Sequence, residues 1–545
     1  MSTAEAQGTR RDSADFELGR SIEILSNVIR EFDTSYVTPV SADDLLGAAV
    51  AGITRITDPY SEYISDSGKS EFDFRSTGKY GGVGSTIRQK GDYVIFAEPY
   101  KGSPAAEAGI KSGDKILAIN GKSMKGEDVD VISSNLKGDP DTEVEVVLER
   151  FYTSEVDTLK LRRRRIARPS VGYCGIVRDG VGYISHSQFI EDSYDELRSA
   201  VEMIQAQAGS ELKGLVLDYR SNGGGLLSEA VNILSLFVDR GEKIVSLMGR
   251  DSSSYRYYET QHEPIARDLP IVVLVNEETA SASEILAGSL QDLDRAVVMG
   301  ERTFGKGLVQ GTRYVGYGTY LKYTTEKYYL PSGRCIQAHD YWTRNSSGAV
   351  GVVPDSLISE FRTRGGRKVY DGGGVVPDVK VEPEYISRFA ATLYGMGYVE
   401  EWVDSYMLKH HNDEIDVRGF KLSDEDYADF VSFIETKDVP YESESRRALK
   451  ALEKALQDDL YDEALCDDLK HFSELIKDDK LSNMQTYRKD IEDLLIMYII
   501  KRFAYSEGAM ENNVCKDPAV SQAIDLILNS EEYRRILSDG HLSMH

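Results

Sequence analysis

Residues 276–311 read NEETASASEILAGSLQDLDRAVVMGERTFGKGLVQG, directly after the aliphatic run PIVVLVN. The run predicts a buried strand and the residues from Ser283 a helix, so a strand–turn–helix carries Ser281 and Ser283 to a helix N-terminus. An anion formed there would be stabilised by backbone N–H groups and the helix dipole. Taken alone, Ser281 with Glu284 three residues on also reads as a capping box.

Working outward, strands alternate with helices from about 166 to 337: 181–189, 214–220, 270–276 and 295–301 as strands, and 194–206, 226–237 and 283–293 as helices. That alternation predicts an α/β layer on a buried sheet. Residues 78–165 instead give short strand-like runs between glycine-rich turns, a small β domain. Two amphipathic helices open the chain, through Ile22, Leu25, Val28, Ile29 and Phe32 and then Leu45, Leu46, Ala49, Val50 and Ile53, the second ending at the proline turn DPYSEY (58–63). Beyond Pro383 the pattern is helical, through Leu449, Leu452, Leu456 and Leu460 and later Ala523, Ile524 and Ile527.

The chain has 545 residues, enough for about three or four domains. Its 41% apolar and 28% charged content excludes a disordered or low-complexity chain. The net charge of −27 disfavours nucleic acid and anionic membrane as partners. Residues 384–545 hold 35 acidic against 19 basic residues, which reads as a separate solvated module. Cys174, Cys335, Cys466 and Cys515 are far apart with no C-x-x-C, so neither a metal site nor a disulfide framework is expected. The longest dense apolar run, 494–500, is too short to span a bilayer. MSTAEAQGTRR lacks the apolar core of a signal peptide, and the sequence as it stands reads as soluble.

A serine nucleophile needs a base. His186, His262 and His339 sit in no recognisable frame, whereas Lys306 lies between two glycines in FGKG. Burial would lower its pKa towards neutrality, the condition for a lysine base; in isolation FGKG is equally a tight turn. LDYRSNGGGLL (217–227) ends a strand in three glycines, able to present N–H donors to a carbonyl or to form a flexible loop. In the β domain, YGGVG could cradle a terminal carboxylate while a strand edge pairs with the peptide.

These segments, in this order, resemble the C-terminal processing peptidases, or tail-specific proteases, of the serine–lysine class. The resemblance runs from about residue 14 to 382 and rests on DPYSEY, GGVG, SPAAEAGIKSGDKILAING, LDYRSNGGGLL, TASASEILAGSLQDLDRAVVMGERTFGKGLVQ and YYLPSGRCIQ. It implies a multidomain α/β protein: N-terminal helices over 14–75, a PDZ-like domain over 76–165, a crotonase/ClpP-like protease core over 166–383 and an acidic helical module over 384–545. It also implies Ser281 as nucleophile and Lys306, 25 residues on, as general base, with Gln310 orienting the lysine and Asp292 as an acidic support. Gly224, Gly225 and the Ala282 N–H would form the oxyanion hole, and Ser283 would cap the helix. Gly81, Gly82, Val83, Gly84 and Ile87 would hold the substrate tail. Thr279 stands for the motif's first serine, and Gly223 for a proline found in many members. Lys137 stands where many have arginine, which makes it a gating candidate with altered coupling.

The implied activity is endoproteolysis of proteins with unstructured, apolar C-terminal tails, with no metal or organic cofactor. A silent PDZ scaffold and an acyl-CoA enzyme of crotonase-like fold are the competing readings. Family members work in the periplasm, cell envelope or thylakoid lumen and often self-associate; the helical module could dimerise, cap the site or dock an adaptor. The Arg162–Arg165 run reads as a solvated strand edge or a partner for the acidic module.

Overall fold

The computed structural model describes residues 3–66, 68–344, 350–459 and 480–538, with residues 469 and 472 between the last two stretches. At its centre six strands lie in the order Val171–Arg178, Val181–His186, Gly214–Asp218, Ile271–Val275, Val297–Gly300 and Val379–Lys380. The first pair is antiparallel and the remaining pairings are parallel. GLVLD and IVVLV are buried at every position, as strands covered on both faces must be.

One face carries the helices Ser193–Ala208, Leu227–Leu234 and Ala282–Asp292, through residues such as Leu197, Val231 and Leu286. The other is covered by Pro518–Leu528 and Ser530–Ser538, where Val520, Ile524, Ile527 and Tyr533 pack on Val216, Val272 and Leu274. Burial of Ile524 and Ile527 stabilises the sheet by about 1.5–3 kcal/mol each. The Tyr533 hydroxyl also meets the N–H and C=O of Ile271, at 2.9 and 3.0 Å. The acidic C-terminal stretch is therefore not wholly a solvated module: its last two helices bring an apolar stripe that covers the central sheet.

A second sheet is organised by Thr319–Tyr329. Leu308–Gly316 pairs along one edge, and Glu62–Ile64 and Lys243–Gly249 share the other. The pairing of Glu62–Ile64 brings the DPYSEY turn beside residues more than 240 positions away.

The small β domain has strands Ser85–Lys90, Tyr93–Pro99, Lys115–Ile119, Glu143–Glu149 and Val156–Arg162, with the helix Val129–Leu136 beside its edge strand Ser85–Lys90. A ribbon of Lys79–Gly82 and Arg164–Ala167 joins it to the core. Arg163 sits at the junction of strands Val156–Arg162 and Arg164–Ala167 and alone of the arginine run turns inward. Arg163 is buried and donates to the carbonyls of Asn135, Leu136 and Glu143, capping the helix end. Arg162 pairs with Asp141 and Arg164 with Glu107, all within this domain rather than with the acidic module.

The helices Tyr398–His410, Asp424–Glu435 and Arg488–Val514 pack around Trp402, Phe430, Ile434, Leu495 and Ile499 and reach the β domain through Phe151 and Tyr152. Helix Arg488–Val514 breaks at Ala504 and Tyr505, where Tyr505 has φ +59°. Ser506, freed by the break, donates its N–H and hydroxyl to Glu98 of the β domain at 2.8 and 2.7 Å. The N-terminal helices Thr3–Ser35 and Ala42–Arg55 form as expected, but Phe16, Ile22, Leu25, Val28 and Phe32 remain exposed. Among the described residues no helix is long and apolar enough to cross a membrane. Cys174, Cys335 and Cys515 are free thiols; Cys466 and Leu460 lie outside the described residues.

Candidate active site

Strand Ile271–Val275 ends in a tight turn that puts Ser281 at the N-cap of helix Ala282–Asp292 with φ +59° and ψ −117°. That backbone lies outside the regions open to L-residues and costs about 1–3 kcal/mol, so the surroundings must impose it. Ala280 N–H donates to Asn222 O (3.0 Å), Thr279 Oγ1 to Tyr219 O (2.9 Å), and Ser281 N–H to Glu284 Oε2 (2.8 Å). Ser283 is fully buried and donates its hydroxyl to Asn222 O (2.9 Å), which ties the helix to the glycine loop rather than capping it. Ser281 is only half-buried and is the serine a substrate can reach.

Gly224 has φ +94°, and a Cβ there would lie 2.7 Å from Ala280 O and 2.9 Å from Ser281 Cβ. The loop thus touches the serine turn because position 224 has no side chain. Its role differs from the expected one, however: Gly224 N–H is donated to Asn222 Oδ1 (2.9 Å) and is not free for a substrate. Among the described residues, the N–H groups of Gly225 and Ala282 meet no acceptor. They are the donors left to an oxyanion.

Lys306 enters from the loop after Val297–Gly300. Gly305 (φ +84°) allows that loop to lie on Ala338, 2.4 Å from where a Cβ would sit. The Lys306 ammonium lies 4.1 Å from the centroid of the Tyr60 ring and, among the described residues, makes no hydrogen bond or ion pair. Burial, and then Lys322, push its pKa down to about 8, against the pull of Glu284 and Asp58.

Glu284 organises both elements. Fully buried, it accepts from Ser281 N–H and Lys306 N–H (2.8 Å each), Gly305 N–H (2.7 Å) and Thr303 Oγ1 (2.6 Å). Burial raises its pKa to about 7, and those four donors hold it from rising further. Tyr328, also buried, places its hydroxyl 2.6 Å from Lys306 O and 3.2 Å from Ser281 O.

Two expected residues make their contacts with other partners. Gln310 donates to Thr324 Oγ1 (3.1 Å) across the hairpin, just after a register shift at Val309. Asp292 stands at the other end of the helix, about 15 Å along its axis from Ser281. There it forms a fully buried ion pair with Arg334 (2.8 Å) and accepts from Ser332 N–H.

In the β domain, Gly81 and Gly82 are ribbon residues opposite Arg165 and Arg164 rather than an open cradle. Val83 is buried and its carbonyl accepts from Ala105 N–H (2.9 Å). Gly84 (φ +76°) makes the bend, and Ile87 packs into the domain core from the edge strand facing the helix Val129–Leu136. Lys137 follows that helix, with Nζ 5.6 Å from the Tyr80 ring of the ribbon.

Sequence reasoning did not assign Glu284, Tyr328, Asn222 or Tyr60 to the site. Glu284 was visible only as half of a capping box and Tyr60 only within DPYSEY. Nothing local distinguishes Tyr328 from Tyr329, although strand alternation turns only the former inward.

A PDZ fold strung on a ribbon ahead of an α/β core, and backed by helices, defines a PDZ-protease. Residues 95–150 match the PDZ domain, and residues 389–527 match "Probable PDZ-protease, C-terminal helical domain". The chain belongs to peptidase family S41, whose profile matches residues 180–358. It is 38% identical over 383 residues to a "Probable CtpA-like serine protease" of Staphylococcus aureus, covering 69% of this chain and 72% of the relative. It is 32% identical over 335 residues to a "Carboxy-terminal-processing protease" of Bartonella bacilliformis, covering 61% and 74%. Among solved structures it resembles the photosystem II D1 C-terminal processing protease, with 28% identity, a TM-score of 0.35, and coverage of 67% of this chain and 93% of that one.

Proposed function

We propose that this S41 peptidase is a serine endopeptidase that selects proteins by unstructured, apolar C-terminal tails, with Ser281 as nucleophile and Lys306 as general base. The observation that carries the reading is the pairing of a strained, half-buried serine with a lysine whose pKa is lowered to about 8, both fastened to Glu284. The neutral amine swings from the Tyr60 ring to Ser281 Oγ and takes its proton as Oγ attacks the scissile carbonyl. Gly225 and Ala282 N–H groups stabilise the oxyanion, and Lys306 returns the proton to the leaving amine. Catalytic hydrogen bonds are often absent before substrate binds, so the parked lysine accords with this sequence of steps.

The tail would add to the edge strand Ser85–Lys90 against the helix Val129–Leu136, with its apolar end near Ile87. Lys137, between that helix and the ribbon, is the coupling candidate. We extend the same reading to a crotonase/ClpP-like core, supported by the parallel ladder ending at the glycine loop, and to self-association through the exposed stripe from Phe16 to Phe32. The helical C-terminal module is the candidate surface for an adaptor, and a periplasmic or envelope location rests on the family resemblance alone.

The test is cleavage of an unstructured protein with an apolar tail, and of the same protein with a charged tail, by wild type, Ser281→Ala and Lys306→Ala. Cleavage by wild type only, weakened by the charged tail, is expected. Turnover by either variant would overturn the assignment, and tail binding without turnover by wild type would return the scaffold reading.

A further inference from the structure

Tyr60 lies outside residues 180–358, yet its ring is the surface on which the Lys306 ammonium rests. The turn that carries it is fixed at both ends. Asp58, itself buried, accepts from Tyr60 N–H (2.9 Å), and Glu62–Ile64 is held in register against Tyr320–Lys322. The ring's tilt is set at its far end, where Tyr60 Oη lies 2.9 Å from Tyr341 Oη. At 4.1 Å from the centroid, Lys306 Nζ is well within the roughly 6 Å reach of a cation–π contact.

The charged and titratable groups facing this amine come from every element around it. Lys322 of the central hairpin disfavours a second positive charge, while Glu284 from the serine helix and Asp58 from the turn favour it. The Tyr328 hydroxyl sits at the Lys306 carbonyl, and His339 lies behind Tyr341, with ring centroids 5.9 Å apart. None of these seats Nζ by a hydrogen bond; the Tyr60 ring alone touches it face-on among the described residues.

We propose that Tyr60 is a positioning residue for Lys306: its ring seats the ammonium of the resting enzyme, keeps water from it and aims the amine for transfer to Ser281. This rests on the serine–lysine reading above. The ring acts in two opposed ways. Its bulk excludes water and favours the neutral amine, whereas its quadrupole attracts the ammonium and favours the protonated one.

Substitutions separate the two. Tyr60→Leu keeps the bulk and removes the quadrupole, so Lys306 should lose its proton about half a pH unit or more lower. Tyr60→Ala admits water, so the titration should move up towards that of an ordinary lysine. Tyr60→Phe keeps ring and bulk and should stay within a few tenths of a unit of wild type. Glu284, Asp58, Lys322 and His339 are common to all four proteins, so differences among them report Tyr60.

The experiment measures acetylation of Lys306 by acetic anhydride against pH, read by peptide mass spectrometry in a Ser281→Ala background, beside the acid limb of kcat/KM in the Ser281 proteins. Circular dichroism checks each fold, and Tyr60→Phe with Tyr60→Leu suffice should the alanine variant not fold. Opposite shifts in the leucine and alanine proteins, or with those two a downward shift in leucine and none in phenylalanine, support the proposal. Identical Lys306 titration in every protein, with Lys306→Ala inactive, overturns the role of Tyr60 and leaves the dyad standing. Cleavage surviving in Lys306→Ala overturns the dyad, and the positioning role with it.

Discussion

Ser281 and Lys306 are fastened to each other twice through their backbones. Both N–H groups donate to the Glu284 carboxylate, at 2.8 Å each, and both carbonyl oxygens lie within reach of the Tyr328 hydroxyl, at 3.2 and 2.6 Å. The serine comes from a helix cap and the lysine from a loop, so this clamp sets their spacing. The clamp acts on the backbones alone and engages neither the Ser281 hydroxyl nor the Lys306 ammonium.

The pH dependence follows from the lysine. Lys306 must be neutral to accept a proton, so kcat/KM should fall about tenfold per unit below pH 8 and level off above it. The linkage to folding has a definite sign. The folded pKa, about 8, lies below the ordinary 10.5, so between these values the unfolded chain binds the extra proton. Stability contributed through this group therefore rises with pH across that window. Cleavage rates and urea unfolding from pH 6 to 10.5 check both, and Lys306→Ala should remove the part of the stability slope that this group contributes, read as the difference between the two proteins.

Glu284→Gln distinguishes a hub from a cap. Loss of an ordinary cap costs about 1 kcal/mol and leaves chemistry alone. Here Oε1 serves Thr303 and Gly305, and Oε2 serves Ser281 and Lys306, so an amide must set its NH₂ against at least one backbone N–H whichever way it turns, and against two on the Oε2 side. We expect a loss of roughly 2–4 kcal/mol in denaturant unfolding and at least a hundredfold fall in kcat. A loss near 1 kcal/mol with kcat intact would reduce Glu284 to a helix cap.

Gly224→Ala tests the contact of loop and serine. A Cβ there would meet Ala280 O, Ala282 N and Ser281 Cβ, each under 3 Å, and the backbone is left-handed. Ser281 and the Ala282 N–H, the nucleophile and an oxyanion donor of the proposed mechanism, must then shift together. A kcat lower by a hundredfold or more is expected, with KM for a tail-bearing substrate little changed because the PDZ groove is remote. Equal losses in both constants, or none, would separate the loop from the oxyanion.

How much of this was legible follows from range. The run PIVVLVN, the turn and the helix after it declare themselves locally, and so do the paired glycines around Lys306. The S-x-x-E spacing of Ser281 and Glu284 does form a capping box, but the same spacing serves an exposed cap and a buried hub; that this carboxylate also holds Thr303, Gly305 and Lys306 is decided by the loop 303–306 folding over it. Tyr60 depends on Glu62–Ile64 pairing with a distant strand, which no window of sequence reports. The stripe through Ala523, Ile524 and Ile527 is legible as a helical apolar face, but not that it packs on the central sheet, since neither periodicity nor net charge reports which element a face meets. Asp292 has suitable chemistry, but the length of its helix sets it beside Arg334, and Gln310 hydrogen-bonds Thr324 across a hairpin whose register no local window reports.

The last prediction concerns the junction between the PDZ domain and the helical domain. Asp404, on helix Tyr398–His410, is buried, yet it meets Lys90 at 2.6 Å and pairs with Arg502, while Arg88 reaches Glu400 at 2.8 Å. Arg88 and Lys90 belong to Ser85–Lys90, the edge strand assigned above to the substrate tail. Arg502 is buried with Asp404, whereas Lys90 and Arg88 are partly solvated, so the loss is felt mainly at Arg502 and stays below the roughly 3–5 kcal/mol of a fully buried pair. Asp404→Asn should therefore loosen the PDZ domain from the helices. Hydrogen exchange should rise in Ser85–Lys90 and in helix Tyr398–His410, while Ile271–Val275 stays protected. The variant should also change KM for tail-bearing substrates more than kcat, because the groove moves and the serine centre does not. Exchange unchanged in both elements would mean that the cluster is solvated in solution and does not hold the domains together.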